Sequence, residues 1–548
     1  MTTSTQQHVP VLIAGGGVTG LSAALFLLQQ GIQPLLVERH RGTSIHPRAR
    51  GFDIRTMELF RELGLSESLR EAGKALGPAW GVLRANTLAE ALAPIQAREG
   101  GQITYPSQLK GLESLAALSP ETGARCTQDL AEPILRAAAE ERGADLRFYT
   151  EMISFSQEEN LITAVLLNRE TGATTTVTAD YLVAADGANS PIRQQLQLPT
   201  TGPGVLAHFL NIYFEADMAE LVRNREFSLC IIDTPGLTGF VSAINNSDRW
   251  AYQLRYYPDK GEKATDYTTA RLLDILHAAL GMPELPIRII SVLPWEMTAR
   301  VTDTMQCGRI FLAGDAAHVM TPYGGKGANT GVQDAQNLAW KIAAVLKGHA
   351  TPALLESYTI ERQPIGLFNT LRSATLADEQ GILKDQEIML RQPAGLLKTS
   401  KETAGETQKN MEVTQNVRTL IGIPDYQYPV KVISECPLLP PDKVFYGLPG
   451  TRVPHLWMDA ARTVSTLDLL KGQFTLFVHG DATPWQTALN EHDLFVQVYP
   501  LACDLITQWE ATTGAVSGDA LLVRPDGFVA WRGSMEKDVQ LPLAALLS

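Results

Sequence analysis

The chain has 548 residues, 45% of them hydrophobic and 19% charged, which gives room for roughly three domains and argues against long disorder. Its net charge of −13 makes it a poor partner for nucleic acid or an anionic membrane. Five scattered cysteines, Cys126, Cys230, Cys307, Cys436 and Cys503, form no CxxC pair and fit free thiols in a reducing cytosol.

The polar start, residues 1–8, lacks the basic region of a secretory signal. Residues 9–14 read as a strand. Gly15, Gly17 and Gly20 then satisfy G-x-G-x-x-G, and Val18, Leu21, Ala24, Leu25 and Leu28 share one helix face that Gly31 closes. Residues 11–28 are apolar enough to imitate a membrane span, but the three consecutive glycines favour a nucleotide-binding turn. A second strand, residues 35–37, ends at Glu38, about 20 residues past the glycines, where a carboxylate can hold a ribose hydroxyl pair. This order points to dinucleotide binding without choosing between FAD and NAD.

The run His46-Pro47-Arg48-Ala49-Arg50 precedes an amphipathic helix, residues 55–63, that Gly64 ends. Residues 126–135 read as a helix start, with Gln128 as cap or cofactor contact and Pro133 in the first turn. A strand at residues 181–185 ends in Asp186-Gly187, followed by a Ser190 cap and by Arg193 on a helix. From 205 to 293 short strands dominate, with Leu210, Ile212 and Phe214 alternating, a sheet able to cover a substrate. Residues 309–313 form a strand that stops at Gly314-Asp315. A glycine-rich loop, 323–329, then feeds a helix on which Val332, Ala335, Leu338, Ala339, Ile342 and Val345 recur, ended by Gly348. Asp315 is placed to accept hydrogen bonds from a polyol, and the helix N-terminus to stabilise negative charge. A further helix carries Glu356, Tyr358, Glu361 and Arg362, and Pro364 is expected to interrupt it. Residues 374–436 read as helix and then an irregular connector, with Pro437, Pro440 and Pro441 at a boundary. The tail offers strands at 474–478 and 494–498 and a strand, Pro-Asp-Gly turn and strand over 521–532.

The run 309–346 resembles the ribityl- and ring-binding segment of the FAD-dependent aromatic hydroxylases, the single-component flavoprotein monooxygenases. Residues 9–38, 46–65, 181–193 and 300–346 carry the resemblance in order, and the tail is similar to the thioredoxin-like end of the larger phenol and polyketide hydroxylases. Ala131-Glu132-Pro133 departs from the family's unbroken helix. The resemblance implies an α/β protein: a Rossmann-like FAD-binding domain (1–180 and 296–375, with 181–200 returning to it), an inserted β-sheet substrate domain (201–295), a helical segment and connector (376–445), and a thioredoxin-like C-terminal domain (446–548). With no CxxC, the tail is expected to serve packing or dimer contact.

The resemblance also assigns cofactor contacts. Gly15, Gly17, Thr19, Gly20, Glu38 and Arg39 fall in the first unit. Arg48, Gln128 and Asp186 follow. Asp315, Pro322, Gly325, Gly327, Ala328 and Asn329 complete the set. Arg48 stands beside the flavin ring as the catalytic arginine, with Arg50 and Arg55 weaker candidates, and His318 makes a structural hydrogen bond. The implied chemistry is reduction of FAD by transiently bound NAD(P)H, addition of O2 to give a flavin C4a-hydroperoxide, and hydroxylation of an aromatic substrate, polycyclic phenols or related natural products being favoured. No metal, nucleic acid or membrane is implied. A cytoplasmic enzyme is expected, with a homodimer as one assembly. The alternatives are a non-hydroxylating FAD oxidoreductase and a non-catalytic flavin protein.

Overall fold

The computed structural model describes residues 7–79, 81–93, 118–384, 422, 424, 426–429, 447–491, 496–501 and 503–534. Most of the expected helical segment and connector at 376–445, with Cys436, Pro437, Pro440 and Pro441, lies outside these residues.

The first sheet is built around parallel strands in the order Ile310–Leu312, Thr174–Ala184, Gln7–Ala14, Pro34–Glu38 and Asp145–Phe148. The short strand Gln306–Cys307 adds antiparallel at one edge, and the hairpin Thr150–Gln157 and Ile162–Asn168 extends from Thr174–Ala184. Parallel strands need both faces covered. The helix Val18–Gln29 does this on one face and packs beside the helix Gly327–Leu346. The former is buried almost all round and only 12 residues long, so its apolarity reflects a core position. Among the described residues no helix is long and apolar enough to cross a membrane.

The second sheet has seven strands, in the order His318–Val319, Arg288–Thr302, Thr200–Glu215, Arg249–Tyr256, Gly239–Ala243, Leu229–Ile232 and Val82–Ala85. Alternation splits its side chains between two faces. Leu210, Ile212, Phe214, Trp250, Tyr252 and Leu254 point to a back core with the helix Thr269–Leu280. Phe209, Tyr213, Gln253 and Phe240 occupy the front face, toward the first domain.

The tail sheet runs Val496–Pro500, Phe474–Val478, Asp519–Val523, Val529–Ser534, with only the first pair parallel. With the helices Thr483–Glu491 and Cys503–Thr513 between strands, this is the thioredoxin-like topology. The tail meets the first domain across a buried polar seam. Glu58 accepts from Arg55 at 2.9 Å and from Arg452 of the tail at 3.0 Å. Glu361 accepts from Arg524 of the tail at 2.6 Å and from Lys341 at 2.8 Å. Asp526 takes a bond from Asn337 at 3.1 Å. Tyr426, Tyr428 and Phe528 pack as rings beside this seam.

Several sequence expectations need correction. Val82–Ala85 pairs with Leu229–Ile232, and Leu88 and Leu92 enter the back core, so this part of the expected 1–180 unit belongs to the second sheet. The boundary drawn between 295 and 296 falls inside the continuous strand Arg288–Thr302. Pro133 is not in a first turn: the helix begins five residues earlier, at Gln128, and carries the proline in its interior. Pro364 does not interrupt its helix, which runs Ser357–Thr375. Packing of Tyr358, Glu361, Arg362 and Ile365 into the interior outweighs the one lost backbone bond there. Cys126 and Cys230 are buried and unpaired, and burial pushes both thiols up to about 12.

Candidate functional site

Three chain segments close on one another at the ends of the parallel strands. Gly15 has φ +111°, and a Cβ there would stand 2.2 Å from the Ala185 carbonyl oxygen. Gly20 passes so close to Gly15 that a Cβ would meet its carbonyl at 1.9 Å. Thr19 fills the space between Gly314 and Gly331, where added Cβ atoms would lie 2.5 and 2.3 Å from its Oγ1. The glycine turn, the 185–187 turn and the Gly314-Asp315 segment are thus locked together by small residues. Thr19 acts here as packing between two helices.

Gly17 is different. Its nearest potential neighbour is Glu132 Oε1 at 3.5 Å, so the backbone at the start of the Val18–Gln29 helix is open to a ligand. Glu38 stands at the neighbouring strand end, one oxygen accepting from Gly16 N at 2.7 Å and the other from His40 N at 2.8 Å. Ionised, it keeps lone pairs for further donors. Arg39 lies exposed.

Glu132, which the sequence reading passed over, is 1% exposed and organises this corner. It accepts from Ser44 N at 2.7 Å and Gln128 Nε2 at 2.6 Å, and burial raises its pKa against these bonds. The Gln128 side chain is therefore committed to Glu132, while its backbone N–H holds the Arg48 carbonyl at 2.8 Å. Arg48 itself is exposed. Arg50 is half-buried. It donates to Ser228 O at 2.9 Å and Ala243 O at 2.6 Å, tying the first domain to the second sheet, and burial with nearby Arg125 lowers its pKa to about 10. Arg55 belongs to the tail seam, donating to Asp526 O at 2.6 Å.

Asp186 accepts from Ile192 N at 3.3 Å and leaves Oδ1 buried without a partner among the described residues. Burial raises its pKa, with Ser190 opposing. Asp315 combines two properties. Its side chain is exposed to solvent, yet surrounding protein desolvates the carboxyl and raises its pKa, with His318, Arg48 and Arg193 opposing. Asp315 thus stands open to solvent at a place where protein crowds the carboxyl, as at the edge of a ligand cleft. Gly327, first residue of its helix, faces Asp315 Oδ1, 3.8 Å from where a Cβ would be.

The loop before that helix has Gly324 and Gly325 at positive φ, with nothing within 4 Å of a Cβ on Gly325. Pro322 is exposed, and its carbonyl accepts from Gly325 N at 3.2 Å. Ala328 is half-buried. Asn329 does not project into the cleft. Its carboxamide accepts from Asp53 N at 2.9 Å and donates to Gly325 O at 2.7 Å, so it holds the loop in shape. Behind the loop, Asp334 accepts from His318 Nε2 at 2.6 Å, Arg362 Nε at 2.7 Å and Gly314 N at 3.1 Å, with all three side chains at 0% exposure. This places His318 in the structural role expected. Spacing alone carried no sign of Asp334, because its helix position reads as a solvated one.

A family model described as an FAD binding domain matches residues 8–371, and one described as an aromatic-ring hydroxylase C-terminal domain matches residues 446–548. The tetracenomycin B2 monooxygenase-dioxygenase of Streptomyces olivaceus is 38% identical over 97% of this chain and 96% of its own. The 4-methyl-5-nitrocatechol 5-monooxygenase of a Burkholderia species is 35% identical over 96% and 94%. Among solved structures, a ternary complex of aklavinone-11 hydroxylase with FAD and aklavinone superposes with a TM-score of 0.80 at 28% identity, covering 99% of both chains.

Proposed function

The chain belongs to the FAD-dependent aromatic-ring hydroxylases, and from that premise we propose that it hydroxylates a phenolic or quinonoid aromatic in the cleft between Asp315 and the front face of the second sheet, using NAD(P)H and O2. The relatives act on tetracenomycin, a nitrocatechol and aklavinone by their names, which favours oxygenated aromatics and leaves ring number open. The observation that carries the reading is Asp315, accessible to solvent yet desolvated by the protein around it.

The residues present fit FAD. The open backbone at Gly17 and the carboxylate of Glu38 suit a pyrophosphate and a ribose. Asp315 suits ribityl hydroxyls, and the loop 322–328 leaves backbone accessible beside the first turn of the Gly327–Leu346 helix. Bound FAD would supply the redox chemistry, taking hydride from NAD(P)H and activating O2. The chain's own part is to hold the ring against that helix end, whose partial positive charge favours an anionic flavin, and to keep water out beneath the sheet.

Purified protein is expected to be yellow, with FAD released to the supernatant by acid, and to consume NAD(P)H and O2 faster with a phenolic aromatic. Colourless protein that refuses added FAD defeats the reading. Asp315→Ala is expected to weaken FAD binding roughly tenfold to a hundredfold, since a hydrogen bond to a charged group contributes about 1.5–3 kcal/mol. Equilibrium titration of the folded variant measures this.

Arg48→Ala is expected to keep FAD but slow NAD(P)H-driven reduction, or to divert reduced oxygen to hydrogen peroxide. The exposed guanidinium acts electrostatically on Asp315, which supports a role for it beside the proposed flavin site. Stopped-flow reduction and a peroxide assay test it, and wild-type rates and coupling would remove Arg48 from the catalytic site. Arg50→Ala is unsuitable as a control, because it severs two interdomain bonds.

A further inference from the structure

Apolar clusters cover the front face of the second sheet at both ends and leave its centre bare. At one end Phe209, Phe240, Met297 and Tyr323 pack together, and Tyr323 belongs to the glycine-rich loop. At the other, Tyr213 and Ala251 pack with Leu76, and the His46 ring lies 6.2 Å from Tyr213. Between these ends, two residues from Phe209 and two from Tyr213, stands Asn211. The antiparallel register puts Gln253 directly opposite it. Paired residues in such a ladder share a face with Cβ atoms about 4.5–5.5 Å apart. Two carboxamides therefore sit side by side at the centre of this face, with Ser242, Ser291 and Arg255 as its other polar residues nearby, facing the gap between the glycine loop and the His46–Arg48 segment.

Both amides are under-used. Neither end of Asn211 makes a hydrogen bond among the described residues, and its Oδ1 is buried. Gln253 accepts from Trp295 Nε1 at 2.7 Å, which leaves its NH2 unpartnered and accessible. Trp295 is fixed in turn by stacking on Phe209, 5.2 Å away at 19°. A buried acceptor without a partner, as Asn211 Oδ1 is, is costly, and the two NH2 groups held in register beside it are free to donate to a ligand. We propose that Asn211 and Gln253 form a specificity site that donates hydrogen bonds to a ring-borne oxygen, a quinone carbonyl or phenol, with Trp295 as the residue that orients Gln253. This rests on the reading of the cleft as the place of the aromatic substrate.

The test titrates FAD-loaded full-length protein with 1,8-dihydroxyanthraquinone and, as an oxygen-free aromatic, naphthalene, following the flavin absorbance. Wild type is expected to prefer the quinone. Asn211→Leu should weaken the quinone about tenfold, the scale of one well-placed hydrogen bond. Gln253→Glu keeps the acceptor for Trp295, exchanges the free donor for a repelling oxygen, and should weaken it by at least as much. Trp295→Phe retains the stack and should weaken it about threefold. Naphthalene binding, FAD content and melting temperature should stay as in wild type. Quinone binding within twofold of wild type in both amide variants overturns the proposal, as does parallel loss of naphthalene or a wild type that does not bind the quinone. The outcomes also separate the two readings. Variants that lose quinone binding in a protein that never hydroxylates leave this site standing and remove the hydroxylase. Normal turnover with unaffected variants does the reverse.

Discussion

A chain cut near Lys443 is expected to lose solubility or change its oligomeric state. The cut removes Arg452, Arg524 and Asp526, and with them one partner each of Glu58, Glu361 and Asn337. The freed charges would regain water, so they are not the larger loss. The larger loss is apolar: Trp340, Tyr426 and Tyr428, buried in the full chain, would face solvent, and burying a large side chain contributes about 1.5–3 kcal/mol. Full-length Arg452→Ala isolates the polar part, since it leaves Glu58 buried without one of its two arginines. Breaking such a pair costs about 3–5 kcal/mol when the other charge is stranded, and less here because Arg55 and Ser119 remain on Glu58. Light scattering and thermal scans measure both. A soluble truncation that keeps its assembly and melting temperature while losing hydroxylation would give the tail a catalytic part.

Replacing Asp334 by Ala is expected to be the most damaging single change in the first domain. It strands the Arg362 guanidinium at 0% exposure and removes the acceptor of His318 and of Gly314 N. Stranding a buried charge costs about 3–5 kcal/mol. At about 2–4 °C per kcal/mol for a domain of 150–250 residues, the melting temperature should fall by roughly 6–20 °C. FAD affinity should fall too, because Gly314 N fixes the turn that presents Asp315. The pH dependence gives a second signature. Burial alone would raise the Asp334 pKa, but His318 and Arg362 outweigh it and the folded value is lowered. A carboxyl depressed in the fold stabilises above its unfolded pKa, about 3.9, and that contribution is lost as pH falls through the lower folded value. Wild type should thus lose stability on acidification below about pH 4, and Asp334→Asn should show a flatter acid limb. An unchanged acid limb would show that Asp334 does not carry this network.

The first glycine turn, Glu38 and Gly314-Asp315 are legible because each is a local pattern: a fixed spacing of glycines, or an acid at a strand end. The last hairpin of the tail is legible for the same reason, from a strand, Pro-Asp-Gly turn and strand, whereas its thioredoxin-like topology is implied by the family resemblance. The contacts between units are not. Arg452 meets Glu58 across 394 residues and Arg55 meets Asp526 across 471, and no periodicity links them. Asn337, Lys341 and Asp334 occupy helix positions that a solvated face would fill, and only the docked tail and the Ser357–Thr375 helix explain their burial. Arg50 looks like part of a basic surface run until its two carbonyl partners on the second sheet are seen. Asn211 lies in a strand whose alternation is plain, but alternation says which face a residue takes and not what that face meets.

The two long strands Thr200–Glu215 and Arg288–Thr302 run side by side from the first domain into the second sheet. Their ladder is interrupted at Met297/Thr298 and Ala299/Val301, next to the pairing of Arg300 and Val301 with Val319 and His318. A continuous ribbon resists bending along its length, and bulges are where it yields. The points where this ribbon can bend are therefore these two bulges beside the Gly-Asp turn and a third, at Ile289/Ser291, toward its other end. Position 300 lies between two of the bulges and is also a tie, since Arg300 pairs with Val319 and donates to Ala188 O at 2.9 Å, so a proline there would free the ribbon from the Asp186 turn as well as alter its bend.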